Sequence, residues 1–349
     1  FFFAMTDTLG PWAYVVELIS GQAMYRQSGI TVCDWHASCY MYFGGSLLFG
    51  WVMYLWETYL DLRQHRNFSI QAIPQLLRDA VGNIDQQALQ AQGDTAEKAD
   101  AKPLLPDMEA KFVKSQAYGR DKSVFGLVHG LFEQAWGMVT LCLGLMPFLW
   151  EVAVDLSARH FGATGEHEIT HSLVFLSLAC CMDTVLSLPW SLWSTFVIEE
   201  RHGFNKQTLR LFFLDIVKGL GVGAVIGLPI VALVIHVIQW GGESFYWYVW
   251  ALMVGVQLVM ITIYPVVIAP LFNTYTPLPE EKKSLKDRIE GLAKQLGFPL
   301  TKLFVMDGST RSAHSNAFMY GFLNNKRIVL YDTLIEACSE TEVTGVLAH

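Results

Sequence analysis

Long stretches without a charged side chain dominate the pattern of polar and apolar positions along this chain. Cys39–Trp56, Gly219–Gly242 and Ser244–Pro279 contain no Asp, Glu, Lys or Arg. The hydrocarbon core of a bilayer requires about 20 predominantly apolar residues in a helix, and these stretches meet or approach that length. The pattern therefore predicts a multi-spanning α-helical membrane protein.

The hydropathy predicts five membrane spans. Tyr and Trp residues, which favour the lipid–water boundary, flank the first span and begin the fifth. Asp183 and Pro189 lie in the third span, so this helix is either kinked or faces a wet interior, and Asp183 is either functional or hydrogen-bonded between helices. The predicted spans cover residues 39–60, 127–150, 171–197, 216–240 and 245–270.

Lys and Arg residues alternate between the two sides of these spans. The segments outside the spans hold one (before residue 39), nine (61–122), one (151–170), three (199–215), none (241–244) and nine (from 273 onward). Because Lys and Arg are enriched in cytoplasmic loops, this alternation predicts an N-terminus outside the cytoplasm and a cytoplasmic tail. Cys33 and Cys39 then lie on the outer side, where they either form a disulfide or remain two free thiols.

Composition supports a membrane protein and helps to divide the chain. Hydrophobic residues make up 52% and charged residues 16%, and the mean hydropathy is +0.33, which is more apolar than an average soluble protein. We expect an N-terminal extension at 1–38, a membrane domain at 39–270 and a small cytoplasmic unit at 271–349. The polar stretch Asp85–Lys102 lacks apolar periodicity and is predicted to be flexible. No nucleic-acid partner is expected.

Residues 271–349 are predicted to form an α+β unit. An amphipathic helix begins after Pro279 and ends near Gly297, with Leu285, Ile289, Leu292 and Leu296 on one apolar face. Strands are predicted at 302–306, 316–322 and 326–334, the last two joined by a hairpin at 323–325. Ser339 begins a capping-box pattern for a final helix whose apolar face carries Val343, Val346 and Leu347 and which ends at His349.

A single histidine at the end of a helix is weak support for a metal site. Its context is more informative, because zinc proteases place His-Glu-x-x-His on a helix that follows an edge strand. In that arrangement both histidines hold the metal, the Glu is the general base, and the edge strand binds the substrate backbone as an added strand.

The chain resembles the Ste24-type CAAX prenyl proteases, which are integral-membrane zinc metalloproteases of the endoplasmic reticulum. The resemblance covers most of residues 40–349, in the expected order among the spans. It is carried by the segments WETYLDLRQ (56–64), KSQAYGRDKSVF (114–125), LPWSLWSTFVIEERHGFNKQT (188–208), IAPLFNTYTPLPE (268–280), FPLTKLFVMDGSTRSAHSNAFMYGF (298–322), KRIVLYDTL (326–334) and TGVLAH (344–349).

The resemblance implies a fold with seven membrane helices around a water-filled chamber and a zincin-like unit on the cytoplasmic side. It implies removal of the C-terminal three residues from prenylated CAAX proteins, with one Zn²⁺ per enzyme, in the endoplasmic reticulum membrane with a lumenal N-terminus. The oligomeric state is not predicted.

The family's functional residues are carried over by position. His349 matches the first zinc ligand, and Asn316 and Ala317 match the Asn-Ala of the substrate-binding edge strand. His314 is either a substrate or transition-state contact or a surface residue. The cluster Glu199, Glu200, Arg201 and His202 either lines the chamber near the metal or forms a structural ion-pair cluster.

The general-base Glu, the second zinc histidine and the third ligand of the family lie beyond His349, so no catalytic residue is assigned in this chain. We therefore expect these 349 residues to be an N-terminal portion that is inactive alone and does not bind zinc firmly. The alternatives are a non-catalytic shortened relative that binds prenylated tails and a membrane transporter. The sequence shows none of the inverted repeats that would support a transporter.

Overall fold

A computed structural model of the protein describes residues 37–92, 103–163, 167–322 and 324–349. They divide into two compact units. One contains the described residues up to Val152 together with Leu186–Ser194, and the other contains Ala153–Val185 and Thr195–His349. The predicted boundary at residue 270 is therefore not the boundary between these units. Residues 1–36 of the predicted extension 1–38 lie outside what the structure describes, and so does the question of whether Cys33 and Cys39 form a disulfide.

Nine α-helices and three π-helical turns precede the sheet in the described part of the chain. The first helices are α1 (Ala37–Asn67), α2 (Gln75–Gln92), α3 (Leu104–Cys142), α4 (Leu145–Phe161) and α5 (Glu168–Trp193), which continues as a π-helical turn (Ser194–Glu199). Next come α6 (Leu209–Val222), a π-helical turn (Gly223–Gly227), α7 (Leu228–Gly241), α8 (Phe245–Ile263), a π-helical turn (Tyr264–Ile268) and α9 (Ala269–Phe272).

The loop between the first two predicted spans is more ordered than we expected. Helix α2 runs to Gln92, so the prediction of a flexible stretch from Asp85 is wrong for its first eight residues. The Asp85 carboxylate accepts hydrogen bonds from the Leu104 and Leu105 N–H groups at 2.9 and 3.0 Å. These two N–H groups have no partner within their own helix, so Asp85 caps the start of α3. Helices α1 and α2 both pack against α3.

Among the described residues, two helical runs are long and apolar enough to cross a membrane: Glu168–Glu199 and Leu209–Phe272. The first contains the predicted span 171–197 and continues through Pro189 without a break. The predicted span 127–150 contains a bend, because α3 and α4 meet at an angle of 64°, and together these two helices are long and apolar enough to form one broken span. Gly144 at this bend has φ of 63°, a conformation that favours glycine. The predicted span 39–60 is helical within α1, but α1 is not among the runs that meet this criterion.

The run Leu209–Phe272 reverses direction at Gly242, where φ is 54°. Helices α7 and α8 pack against each other as an antiparallel pair, and they contain most of the predicted spans 216–240 and 245–270. Both are hydrophobic on all sides, as helices in lipid are. Asp183 in α5 and His236 in α7 occupy exposed positions on their helices.

The second of the two compact units, called the C-terminal unit below, contains a four-stranded sheet with the order β1-β2-β4-β3. Strand β1 is antiparallel to β2, β2 is parallel to β4, and β3 is antiparallel to β4. The predicted strands and hairpin are confirmed, whereas β1 was not predicted. The elements are β1 (Tyr275–Pro277), α10 (Lys283–Gln295), β2 (Leu300–Met306), β3 (Ala317–Phe322), β4 (Asn325–Tyr331), α11 (Asp332–Ala337) and α12 (Glu340–Ala348).

One face of this sheet carries the core of the unit. The buried side chains of this core come from α10, β4, α11 and α12: Leu285, Ile289, Ile328, Leu330, Leu334 and Val343. Three details of the prediction are wrong. Leu296 is 66% exposed because α10 ends at Gln295, and Val346 is 50% exposed because only the Val343 and Leu347 side of α12 faces the core. Residues 332–334 begin helix α11 instead of extending β4.

Candidate active site

Strand β3 is an edge of the sheet and presents an open side. In the described structure it pairs only with β4. The Tyr331 N–H donates to the Asn316 C=O at 3.0 Å. Because bonded and non-bonded pairs alternate along an antiparallel ladder, the backbone groups of Ala317, Met319 and Gly321 point away from β4. This row of N–H and C=O groups is what an extended peptide needs to join the sheet.

Asn316 stands at the start of this edge. Its side-chain Oδ1 accepts a hydrogen bond from the Ala317 N–H at 2.8 Å, and its backbone C=O is occupied by Tyr331. The Asn316 side chain is exposed, and its Nδ2 group is a hydrogen-bond donor. An acceptor that approaches the first residue of β3 therefore meets this side-chain amide.

His314 is held two residues before Asn316. Its Nε2 lies 3.2 Å from Glu199 Oε2, and its ring stacks on Phe204 with 4.2 Å between centroids. The His314 C=O accepts from the Thr333 hydroxyl at 3.1 Å, which ties the backbone to α11. These contacts fix the ring orientation, although the His314 side chain remains 49% exposed. It is thus an ordered and accessible imidazole near the open edge.

The segment 199–208 is joined to the segment that leads into β3. Asn205 and Ser312 form an isolated antiparallel bridge. The Lys206 N–H donates to the Arg311 C=O at 3.1 Å, and the Ala313 N–H donates to the Phe204 C=O at 2.9 Å. The end of the helical run Glu168–Glu199 therefore positions His314 through backbone hydrogen bonds as well as through Glu199.

Arg311 connects the same segment to the helices. Its guanidinium donates to both carboxylate oxygens of Asp215 in α6, at 2.8 and 3.0 Å. It also donates to the Asn273 side chain at 2.9 Å and to the Phe272 C=O at 2.6 Å, where α9 ends. Gln207 donates to Asp215 at 3.0 Å. Both charged side chains are largely buried, with exposed fractions of 24% for Arg311 and 18% for Asp215.

Helix α12, which His349 follows directly, packs on the face of the sheet that carries the core. Ser339 forms the predicted capping box with Glu342, in which the Ser339 N–H donates to the carboxylate at 2.8 Å. Ala317 at the start of β3 and Leu347 near the end of α12 both pack against the same core cluster. His349 is exposed, and its backbone N–H donates to the Gly345 C=O at 3.2 Å.

The opposite face of the sheet borders a cavity. Its wall includes Tyr275, whose burial raises the pKa of the phenol, an effect to which the nearby Tyr264, Tyr320 and Tyr331 phenols and the Asp307 carboxylate contribute. The two faces of β3 thus have different surroundings, with α12 on one side and this cavity on the other.

Residues 64–274 match the family described as CAAX prenyl protease N-terminal, five membrane helices, and residues 279–349 match peptidase family M48. The chain belongs to the Ste24-type CAAX prenyl protease family. It is a helical membrane protein, and the family is one of metalloproteases that generally use zinc. The predicted span 39–60 precedes the part of the chain that matches the first of these families.

Individual relatives give the same assignment. The CAAX prenyl protease 1 homolog of Oryza sativa is 45% identical over 310 residues, which cover 88% of this chain and 66% of that protein. The Homo sapiens homolog is 44% identical over 85% of this chain and 57% of its own length. The crystal structure of S. mikatae Ste24p superposes with a TM-score of 0.73 at 36% identity, covering 87% of this chain and 64% of that one. This chain therefore spans less than two thirds of the length of these relatives.

The structure brings some of the predicted family residues together. Glu199 and His314 are in contact, and Asn316 and Ala317 follow on the same edge. Glu200 is directed to Asn205 within its own loop, at 2.9 Å. Arg201 is exposed and His202 is half-buried beside them. Whether these four loop residues line a chamber stays a prediction.

Metal ligands are not assembled by the described residues. They contain no group of three His, Cys, Asp or Glu side chains placed to hold a metal ion. A catalytic zinc takes three protein ligands and keeps one position for water. The described residues therefore do not by themselves fit a zinc ion, and His349 remains a predicted single ligand.

The ion pair between Arg311 and Asp215 is the main feature that the sequence interpretation missed. The two residues are 96 positions apart, and although Arg311 lies in the segment 298–322 that carries the family resemblance, nothing in the sequence pairs it with Asp215. A partial signal existed, because Asp215 is an acidic residue directly before the predicted span 216–240. An acidic residue at that position requires a cation or water, but the sequence does not indicate which.

Proposed function

We propose that this chain is part of a zinc metalloendopeptidase that removes the C-terminal aaX tripeptide from prenylated CAAX proteins. The observation that carries the proposal is the open edge of β3 beside a helix that ends with His349, in a chain of the CAAX prenyl protease family. Relatives at 36–46% identity carry the name CAAX prenyl protease 1 or a homolog of it. The activity is proposed for the whole protein and not for these 349 residues alone.

In this proposal β3 binds the substrate backbone. The outward N–H and C=O groups of Met319 and Gly321 pair with the extended C-terminal tail, which becomes an additional strand. Asn316 Nδ2 donates to a carbonyl of the tail near the bond to be cleaved, where such donors stabilise the charge that develops on oxygen. His314, held by Glu199 and Phe204, contacts the tail from the same end of the strand.

His349 is proposed as one zinc ligand. When bound, zinc would supply Lewis-acid chemistry to the hydrolysis, and among the described residues His349 would be one of its ligands. Arg311 and Asp215 do not touch the substrate in this arrangement, but they hold the segment that carries His314 and Asn316. We further propose that the enzyme resides in the endoplasmic reticulum membrane with a cytoplasmic protease unit, which rests on the Lys and Arg distribution and on the family resemblance.

The first test is to sequence the transcript through and beyond codon 349. Continuation into Glu-x-x-His supports the zinc site, whereas a stop codon after His349 contradicts the proteolytic function and favours a relative that only binds prenylated tails. The protein purified from its natural source is then assayed with a farnesylated Cys-a-a-X peptide. We expect about one zinc per chain and loss of cleavage with a chelator.

Two substitutions in that protein test the residue roles. His349→Ala is expected to abolish zinc binding and cleavage together, because a ligand is removed. Asn316→Ala is expected to lower kcat by about 10²–10³-fold at unchanged zinc content, as loss of one oxyanion donor does. Leu296→Ala, which alters an exposed side chain, is the control and should change neither quantity. Unchanged cleavage in Asn316→Ala would rule out its proposed role.

A further inference from the structure

A cavity of about 620 Å³ lies between the sheet and the helical run Leu209–Phe272. The helical wall includes Ile261 and Tyr264, and the sheet supplies Phe318, Tyr320 and Tyr331. Its volume falls within the range of about 300–1,000 Å³ that is typical of small-molecule sites. All of these residues belong to one compact unit, so the cavity is a feature of that unit.

The cavity adjoins the edge strand that we propose binds substrate. Phe318 and Tyr320 lie on β3, and Phe318 follows Ala317 directly. Successive side chains of a strand point to opposite faces. Ala317 packs on the core face, so Phe318 and Tyr320 face the cavity. A peptide added to β3 would therefore direct every second side chain toward the cavity face.

The lining matches an uncharged, unsaturated hydrocarbon. Aromatic rings, two methionines and aliphatic side chains form most of the wall, and the lining contains no Asp, Glu, Lys, Arg or His. The polar lining groups are tyrosine hydroxyls and the amides of Gln257 and Asn273. Membrane phospholipids carry a phosphate that favours Lys or Arg at the site mouth, whereas a prenylated cysteine is joined through an uncharged thioether. The wall therefore favours the prenyl group over a phospholipid.

We propose that this cavity receives the isoprenoid chain of the substrate while the peptide attached to it pairs with β3. The inference rests on the proposed function, because it assigns a subsite to the same substrate. It makes Ile261 and Phe318 determinants of isoprenoid length. A larger side chain at Ile261 should weaken binding of the longer C20 chain more than binding of the C15 chain. Removal of the Phe318 ring should instead favour binding of the C20 chain.

The test is photolabelling of the whole protein in lipid nanodiscs, and this measurement requires neither zinc nor turnover. The probes are farnesylated and geranylgeranylated Cys-a-a-X peptides with a diazirine at the end of the isoprenoid. Labelled residues are located by mass spectrometry. We expect label on the cavity walls, in the segments around Ile261 and Phe318.

Two variants and one control determine the outcome. Ile261→Trp is expected to lower C20 labelling about tenfold and C15 labelling less, because overfilling a site forces rearrangement. Val267→Trp is the matched control, since Val267 lies in the same helical run, is 55% exposed compared with 44% for Ile261, and does not line the cavity. Phe318→Ala should shift the ratio in the opposite direction, which keeps the test decisive if Ile261→Trp misfolds.

Three results would overturn the inference. These are label located outside the cavity, equal effects of Ile261→Trp and Val267→Trp, and equally effective competition by a phospholipid or a palmitoylated peptide. The experiments distinguish failure of the proposed function from failure of this inference. Correct labelling of the cavity, together with no cleavage by the zinc-loaded protein from its natural source, would refute the protease while the isoprenoid site stands. Cleavage with label elsewhere would refute only the cavity assignment.

Discussion

The most informative perturbation of this structure is Arg311→Met. The substitution keeps much of the side-chain length but removes five hydrogen bonds: two to Asp215, one each to the Asn273 and Thr310 side chains, and one to the Phe272 C=O. It also leaves the Asp215 carboxylate, which is only 18% exposed, with Gln207 as its remaining partner among the contacts described above. The cost therefore comes mainly from a poorly solvated anion that has lost its cation.

The magnitude follows from the burial of the pair. Breaking a fully buried ion pair costs about 3–5 kcal/mol, whereas exposed pairs contribute about 0–1 kcal/mol. Arg311 and Asp215 are about four-fifths buried and paired through two hydrogen bonds, so we expect a loss of about 2–3 kcal/mol. This corresponds to a change of about 30–150-fold in the equilibrium for local opening.

Native-state hydrogen exchange measures this opening directly. The reporters are the Lys206 and Ala313 N–H groups, which donate to the Arg311 and Phe204 C=O groups. We expect their exchange to accelerate by the factor given above, while N–H groups of the central strand β4 remain protected. The control is Lys218→Met in the same helix as Asp215, because Lys218 makes one exposed hydrogen bond to the Leu271 C=O.

A double-mutant cycle separates the pair from the rest of the network. Asp215→Leu combined with Arg311→Met removes both charges, so the double variant should lose less than the sum of the single variants. The expected coupling is about 1–2 kcal/mol. The reasoning is refuted if Arg311→Met accelerates exchange at Lys206 and Ala313 no more than Lys218→Met does, or if the cycle shows no coupling.

Other predictions concern the sheet and its helices. Leu330→Ala, at a fully buried position, should destabilise the C-terminal unit by about 2–5 kcal/mol, whereas Leu296→Ala should change stability by less than about 0.5 kcal/mol, as compared by thermal unfolding in detergent. Ser339→Ala should lower the free energy of unfolding by about 1 kcal/mol and accelerate hydrogen exchange in α12. Ser339→Thr should retain most of that stability, because threonine can also cap a helix. Equal destabilisation by the two substitutions would contradict the capping role. The raised pKa of Tyr275 favours its neutral phenol, so its contribution to stability is complete below pH 10.0 and is lost as the pH rises through the higher folded-state pKa. Ultraviolet titration of the phenolate in wild type and Tyr275→Phe should show that the missing group ionises above 10.0, and ionisation at or below that value would contradict the burial of this phenol.

Local patterns predicted much of the fold because they report burial directly. Leu285 and Ile289, four positions apart, are fully buried as their helical spacing predicts. The same spacing failed at Leu296, because it does not show where a helix leaves its neighbour. The bend at Gly144 was missed for a related reason. Hydropathy is continuous across the bend, and only the glycine, with Pro147 shortly after it, indicates that the helix changes direction.

Only a part of the candidate site could likewise be predicted from the sequence. The strand and hairpin patterns predicted β3 and β4, and the family resemblance then placed Asn316 and Ala317 at the start of β3 by position. The contact of His314 with Glu199 joins residues 115 positions apart. The pairing of Arg311 with Asp215 is similarly distant. No periodicity relates such residues, so only the folded chain shows that they meet.

The distant contacts have a common physical reason. Where helices end beside a membrane, backbone groups that are not in a helix or a sheet must find other partners, since each unsatisfied buried group is costly. The segments 199–208, 272–274 and 307–313 satisfy one another: Asp307 accepts from the Thr274 N–H at 2.8 Å, and Arg311 is bound through both its backbone and its side chain. Satisfying these groups brings the end of one helical run against the segment that enters β3. The segment that leads into the open edge of β3 is therefore held in place by the ends of the helices.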